Sequence, residues 1–305
     1  MTLRSRPHHK TTDRNQRGKK CWAGCWFIVQ IFLRHRADVD TRGGAYGNAL
    51  QAACSRGHYH IAKTLLNAGA DVNRAGGFYY NALNSACFIG SEETVRLLLQ
   101  HGALVNAQDD RYGNALQAAS SRGQHGIIKI LLQHGANANA KGGHYGNALR
   151  AAISEGHTAI VWTLLRHGAD VNAKGGHCGN ALQTASSKGL VMIVWMLLHY
   201  GADVNTRGGY YGNALQAASS EGHATMVWTL LRFGAKVNEP RGHYGNALQA
   251  ASSKGLVMIV RMLLHDGADV NIRGGPYGNS LRAAISERHT AVAWILRLNG
   301  AAVNA

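Results

Sequence analysis

Residues 146–176 read GNALRAAISEGHTAIVWTLLRHGADVNAKGG and contain two short helix patterns. Asn147 is a favourable N-cap, because its side chain can accept a hydrogen bond from an unpaired backbone amide. It predicts a first helix over residues 148–155, in which small alanines allow close packing. A second helix is predicted from near Thr158, because apolar residues follow at helical spacing, and Gly168 supplies its left-handed C-cap.

Beyond the second helix, the same stretch predicts a hairpin loop. Residues 169–172 are expected to run out in an extended conformation, and Gly175-Gly176 permits the positive φ of a tight turn. Neither helix can bury its apolar face alone. Neighbouring copies of this module must therefore stack on one another.

The module recurs along the chain at a fixed interval. Asn-Ala-Leu, or Asn-Ser-Leu at its last occurrence, begins every 33 residues from Asn48 to Asn279, with no insertion or deletion. Periods of this length mark stacked supersecondary modules. We therefore expect eight repeats, at residues 45–77, 78–110, 111–143, 144–176, 177–209, 210–242, 243–275 and 276–305.

These repeats resemble the ankyrin repeat, whose pattern LH-x-A-A-x-x-G-H-x-x-I-V-x-x-L-L-x-x-G-A-D-V-N-A is matched at the family's own length. The resemblance implies an all-α solenoid of helix-turn-helix units joined by hairpin fingers. It also implies that partners contact the fingers and the concave helix face. The sequence YGNALQAAS is similar to that of long ankyrin arrays of filamentous fungi. Such arrays often form the sensor end of larger immune-type receptors.

The chain departs from the family pattern at two places. Where the first helix begins, the family's Thr-Pro is Asn-Ala, and its following His is usually Gln, so the family's Thr–His pairing is absent. Asn preserves the helix cap. The finger Asp is mostly Gly, as at Gly43 and Gly175, but persists as Asp109.

The N-terminal region follows a different pattern. Residues 1–20 carry seven Lys or Arg and one acid, which predicts a disordered basic tail or, alternatively, a nuclear-import or anionic-surface signal. Residues 21–44 remain in phase with the repeats, since Ile28-Val29 lies 33 residues before Ile61-Ala62. We interpret them as a degraded first repeat.

Composition limits the class of partner. Among 305 residues, 32 Lys and Arg outnumber 16 Asp and Glu, and this charge attracts acidic proteins, nucleic acids and anionic membranes alike. Five scattered cysteines argue against a disulfide framework and for an intracellular location, in cytoplasm or nucleus. The longest apolar run, residues 21–33, is too short for a transmembrane segment.

The fingers carry the first candidate site, a column of cations beside two columns of rings. Tyr and Arg are enriched at binding hot spots. The tyrosines could instead brace each finger against its neighbour. The candidate partner-binding residues are Arg42, Tyr46, Lys141, His144, Tyr145, Lys174, His177, Arg207, Tyr210, Tyr211, Arg241, His243, Tyr244, Arg273 and Tyr277.

Two further columns are conspicuous. Charge alternates from repeat to repeat at Arg122, Glu155, Lys188, Glu221, Lys254 and Glu287, which predicts charge pairing between repeats. On the second helix, a position expected to face solvent holds tryptophan in four repeats. These rings either pack on one another along the stack or form a convex docking strip, at Trp162, Trp195, Trp228 and Trp294.

No catalytic, metal or cofactor pattern is present in the sequence. His157 and its equivalents occupy the family's structural Gly-His position, and the other histidines are too far apart to share one ion. No phosphate loop, nucleophile elbow or carboxylate pair occurs. We therefore predict no enzyme, no metal and no cofactor. The predicted function is a scaffold for an acidic protein partner. The alternative is a binder of nucleic acid or anionic lipid.

Overall fold

The computed structural model describes residues 26–109, 113–173, 179–240 and 242–302. They belong to two compact units, Met1–Leu104 and Val105–Ala305, here called the first and second unit. The predicted tail, residues 1–20, lies outside the described residues.

Pairs of short helices make up both units. In the first unit, residues 26–34 form helix α1, and the following helices are α2 Ala49–Ser55, α3 Tyr59–Asn67, α4 Ala82–Ile89 and α5 Glu92–Gln100. The second unit begins with strands β1 Gln108–Asp109 and β2 Gly113–Asn114, which pair antiparallel. Its helices are α6 Ala115–Ser121, α7 His125–Gln133, α8 Ala148–Ser154, α9 Thr158–Arg166, α10 Ala181–Ser187, α11 Val191–His199, α12 Ala214–Glu221, α13 Ala224–Arg232, α14 Ala247–Ser253, α15 Val257–His265, α16 Ser280–Ser286 and α17 Thr290–Leu298. None of the described helices is long and apolar enough to cross a membrane.

The predicted N-caps of the first helices are confirmed. Asn147 Oδ1 accepts a hydrogen bond from the backbone N–H of Arg150 at 2.8 Å. Asn48 and Asn180 form complete capping boxes, because the glutamine three residues later bonds back to the cap backbone. The Asn-Ala departure from the family pattern therefore keeps the helix start intact.

The core of each unit lies between its helices. Within a unit, each first helix packs against its own second helix and against the first helix of the next repeat. Ala151, Ala152 and Leu164 are fully buried, which confirms the expected close packing through small residues. Cys54 and Cys87 are buried free thiols in the core, and burial raises the pKa of Cys54 to about 12.

Asparagine side chains at the base of the fingers join consecutive repeats. Asn205 Nδ2 donates to the carbonyl of Gly234 at 3.1 Å, and Asn205 Oδ1 accepts from the N–H of Lys236 at 2.8 Å. Both bonds recur in each unit at Asn73, Asn106, Asn139, Asn172, Asn238 and Asn271. This column of inter-repeat bonds was not predicted from the sequence.

The segment after α1 keeps half of this arrangement. Asp40 stands 33 residues before Asn73, and its Oδ2 accepts from the N–H of Asp71 at 3.0 Å. A carboxylate has no N–H to donate, so the second bond is missing. Asp40 thus makes one of the two bonds that asparagine makes at this position in the later repeats.

The fingers are short hairpins, as predicted. Isolated antiparallel bridges close three of them, between Gly142 and Gly146, Gly208 and Gly212, and Gly274 and Gly278. Glutamine from the first helix holds the finger base: Gln249 Nε2 donates to the carbonyl of Ile272 at 2.8 Å. Equivalent bonds are made by Gln51, Gln117, Gln183 and Gln216. Glutamine thus supplies a hydrogen bond at the position where the family has His.

Consecutive fingers lie directly against each other within a unit. The N–H of His243 donates to the carbonyl of Tyr210 at 3.0 Å, and that of Phe78 donates to Ala45 at 2.9 Å. A Cβ atom on Gly242 would overlap the carbonyl of Tyr211, and one on Gly275 would overlap that of Tyr244. The second glycine of the turn therefore gives close approach between fingers as well as a positive φ.

We expect Asn205→Ala to lower the unfolding free energy by about 1–3 kcal/mol, because two inter-repeat hydrogen bonds are lost together. Asn205→Asp should cost less, since it keeps the acceptor as Asp40 does. Urea unfolding followed by circular dichroism measures both. Gln133→Ala is the control, because this side chain is exposed and forms no hydrogen bond with any residue that the structure describes. Equal midpoints for Asn205→Ala and this control would refute the role of the asparagine.

Gly267→Ala and Gly275→Ala form a matched pair of substitutions. Both glycines have positive φ, 83° and 61°, so alanine is strained at either position. Only Gly275 faces neighbouring backbone, since no atom lies within 4 Å of a Cβ on Gly267. Gly275→Ala should therefore lower the free energy of unfolding by about 1–3 kcal/mol more than Gly267→Ala does, because the added methyl group overpacks the contact. A calorimetric Tm that falls equally for both would contradict the close contact between fingers.

Candidate functional site

The tyrosines of the fingers are anchored to the first helix of their own repeat. The hydroxyl of Tyr145 donates to Glu155 Oε1 at 2.9 Å, and Tyr211 donates to Glu221 at 2.9 Å. Tyr277 makes the same bond to Glu287 at 2.6 Å. The alternating charge column thus has a partner that its pattern did not predict, a phenol ten residues earlier in the same repeat.

In two repeats, a cation ten residues after the finger tyrosine lies over the tyrosine ring. The guanidinium of Arg56 is 5.4 Å from the ring centroid of Tyr46, and its Nη2 donates to the Tyr46 hydroxyl at 3.2 Å. Lys254 Nζ is 5.9 Å from the centroid of Tyr244. These rings are half-buried. The tyrosines adjoining the helix ends therefore act as braces, but within a repeat.

The surroundings raise the pKa of two of these phenols. The hydrogen bond to Glu287 raises the pKa of Tyr277, because it stabilises the protonated hydroxyl. Partial burial, with a smaller contribution from Glu155, raises the pKa of Tyr145. Both phenols therefore stay protonated, and remain hydrogen-bond donors, to a higher pH than an ordinary tyrosine would.

The outer ring column behaves differently from the anchored tyrosines. Tyr210 and His243 come from consecutive repeats, are both exposed, and stack with centroids 4.6 Å apart and an interplanar angle of 20°. Each also contacts its neighbouring anchored ring edge-on, Tyr211 at 5.2 Å and Tyr244 at 4.9 Å. His144 is exposed and contacts Tyr145 in the same way at 5.1 Å. The structure thus brings together four predicted site residues into one aromatic cluster, Tyr210, Tyr211, His243 and Tyr244.

The predicted cation column is exposed where the structure describes it. Lys141, Arg207 and Arg273 lie on the fingers of the second unit, and Arg42 lies on a finger of the first. Arg207 forms an ion pair with Glu239 at 2.5 Å while 52% of its side chain stays exposed. Lys174, His177 and Arg241 lie outside the described residues.

The four tryptophans are exposed on the second helices. Trp162, Trp195, Trp228 and Trp294 have 46%, 51%, 56% and 62% of their surface accessible, and no ring contact joins any two of them in the described chain. The expectation of mutual packing is therefore wrong. Three of the four have a partner one turn later in the same helix, because residues i and i+4 share a helix face. Arg166 lies 4.7 Å from the Trp162 centroid, Arg232 lies 5.7 Å from that of Trp228, and His199 stacks on Trp195 at 5.4 Å.

The histidines that follow the first helix are structural. His223 Nε2 is 3.1 Å from the carbonyl of Ser187, and His289 Nε2 is 3.2 Å from that of Ser253, each across to the preceding repeat. Among the described residues, no group of three or more His, Cys, Asp or Glu could hold a metal ion.

Comparison with known proteins agrees with this architecture. Sequence models described as ankyrin repeats match residues 83–175, 144–208 and 182–274, and a further ankyrin repeat model matches residues 50–95. The crystal structure of the human ASB11 ankyrin repeat domain has a TM-score of 0.62 and 23% identity, covering 72% of this chain and 98% of its own. That likeness concerns the fold alone. No curated protein matches the sequence. Since the family models together extend from residue 50 to residue 274, the chain belongs to the ankyrin repeat family.

Proposed function

We propose that the chain binds an acidic segment of a partner protein across the fingers of its second unit. Ankyrin repeats imply protein partners, and the fold is typically a non-catalytic interaction scaffold. The observation that carries the proposal is the exposed Tyr210–His243 stack, which lies in the same row of fingers as the exposed cations Lys141 and Arg273.

The bonding of the glutamates near the fingers supports a negatively charged partner. Glu155, Glu221 and Glu287 accept hydrogen bonds from finger tyrosines, and Glu239 pairs with Arg207. Each of these carboxylates is therefore engaged within the chain. The cations on the fingers are exposed, so the surface offered to a partner is positive and aromatic.

The chemistry of the cluster indicates what the partner segment contains. Exposed cations attract carboxylates, and this attraction sets orientation and on-rate more than affinity. Tyr210 and His243 provide a stacked aromatic surface on which an apolar or aromatic side chain can pack. We expect a segment that is rich in Asp and Glu and carries at least one large apolar residue.

We also propose an intracellular location, in cytoplasm or nucleus, which the free thiols of Cys54 and Cys87 support. A role as the recognition part of a larger receptor is a further proposal, supported by the resemblance to fungal ankyrin arrays.

Selection of random phage-displayed peptides on the full chain tests the finger proposal. The selected sequences should be acidic, and Lys141→Glu with Arg273→Glu should weaken their binding about tenfold or more. Tyr210→Ala should weaken the binding of peptides that carry an apolar residue more than the binding of peptides that carry only acids. Fluorescence anisotropy with the labelled peptide measures each dissociation constant.

Lys129→Glu with Arg261→Glu is the matched control, because it changes the net charge equally on exposed positions of the second helices. It should leave peptide binding nearly unchanged. Equal losses for both double variants would show that overall charge attracts the peptide, and would refute a finger site. Recovery of no acidic peptides, together with nucleic-acid binding of steep salt dependence, would favour the alternative function.

A further inference from the structure

The second helices of the second unit lack acidic residues. Neither Asp nor Glu occurs in α7, α9, α11, α13, α15 or α17, whereas α5 of the first unit begins with Glu92 and Glu93. The nearest acid following one of these helices is Asp266, directly after α15. Exposed cations are present on five of the six helices, at Lys129, Arg166, Arg232, Arg261 and Arg297.

Large apolar side chains project from the same solvent-facing side. Trp162, Trp195, Trp228 and Trp294 are about half exposed or more, and Met192 and Met258 are 64% and 65% exposed. Met192 precedes Trp195 by three residues, so both lie on one face of α11. Neighbouring packed helices are spaced by about 10 Å, so these side chains form a row along the unit.

The local contacts favour an interfacial role for the row. Arg166 and Arg232 lie over the Trp162 and Trp228 rings, so cation and ring are presented together. Tryptophan and arginine are both favoured at the boundary between lipid headgroups and acyl chains. A headgroup layer also accepts singly projecting side chains without needing a complementary pocket.

The positive charge of this face favours an anionic surface over a second copy of the chain as its binding partner. A second copy of the chain would place the five cations of one molecule against those of the other, which is unfavourable. An anionic surface is complementary to all of them, and long cationic side chains near such a surface add to its attraction.

We propose that the solvent-facing row of second helices in the Val105–Ala305 unit docks on an anionic phospholipid membrane. The tryptophans and methionines enter the headgroup region, and the cations contact lipid phosphates and carboxylates. The fingers lie outside this row, so the proposal is independent of the acidic-peptide site.

Sedimentation of the full chain with phosphatidylcholine vesicles, with and without phosphatidylserine, tests the proposal. Binding should require phosphatidylserine, weaken with salt, and shift tryptophan emission to the blue. Replacing Trp162, Trp195 and Trp228 together by Ala should lower the vesicle partition coefficient about tenfold or more and remove most of the shift. These side chains are exposed, so circular dichroism should be unchanged.

Two charge-reversed variants identify the face involved. Arg166→Glu with Arg261→Glu should reduce vesicle binding, whereas Lys141→Glu with Arg273→Glu, the finger variant with the same change in charge, should leave most of it. Unchanged binding by the triple tryptophan variant would overturn the proposal, as would equal loss in both charge variants. So would self-association that depends on these tryptophans without any lipid binding. Failure here leaves the peptide proposal untouched, because the peptide measurements contain no lipid. The shared finger variant, Lys141→Glu with Arg273→Glu, is expected to lose peptide binding but to keep most of the vesicle binding.

Discussion

The spacing of the repeats depends on one asparagine side chain at the base of each finger. Asn205 donates to a carbonyl 29 residues later and accepts from an N–H 31 residues later, so its amide bridges the end of the next second helix. A residue inserted between these points would displace one partner and leave the amide half-satisfied. This constraint accounts for a 33-residue period that runs from Asn48 to Asn279 without insertion or deletion.

The regular spacing of the repeats also places consecutive fingers next to one another. Glutamine bonds hold the finger base, glycine lets one finger touch the next, and the Tyr–Glu bonds tie the finger to a helix end. The exposed Tyr210–His243 stack and the cations are thus presented by a supported surface and not by a loose loop. A surface held in place in advance loses less entropy when a partner binds, which favours affinity.

The helices and caps were predictable because their signals are local. Asn147 and the glycines act within a few residues of themselves, and a 33-residue period leaves little choice of architecture. The partners of individual polar side chains were harder to predict from the sequence. The asparagine column was read only as part of an extended segment, and the glutamates were assigned to charge pairing between repeats, because the fold alone brings Tyr277 to Glu287.

For the tryptophans, the sequence predicted the exposed position but not the contacts of the rings. Their column was correctly placed on the solvent side of the second helix, but packing between rings was also considered. No two of these rings are in contact in the described chain, and Trp162, Trp195 and Trp228 instead contact the residue one turn along their own helix. The difference depends on the distance between helices, which the sequence does not specify.

The two ways of anchoring the finger tyrosine have a consequence for how such a chain can lengthen. Glutamate and a cation alternate at this position, from Glu155 through Lys188 and Glu221 to Lys254 and Glu287, although the repeat of Lys188 has Cys178 in place of the tyrosine. Loss or duplication of a single repeat would set two like charges side by side. Loss or duplication of two repeats keeps the alternation, and the segment SSKGLVMIV indeed recurs two repeats apart, at Ser186 and Ser252. A doublet of 66 residues, the interval from Ser186 to Ser252, is therefore the increment that preserves the alternation of charge.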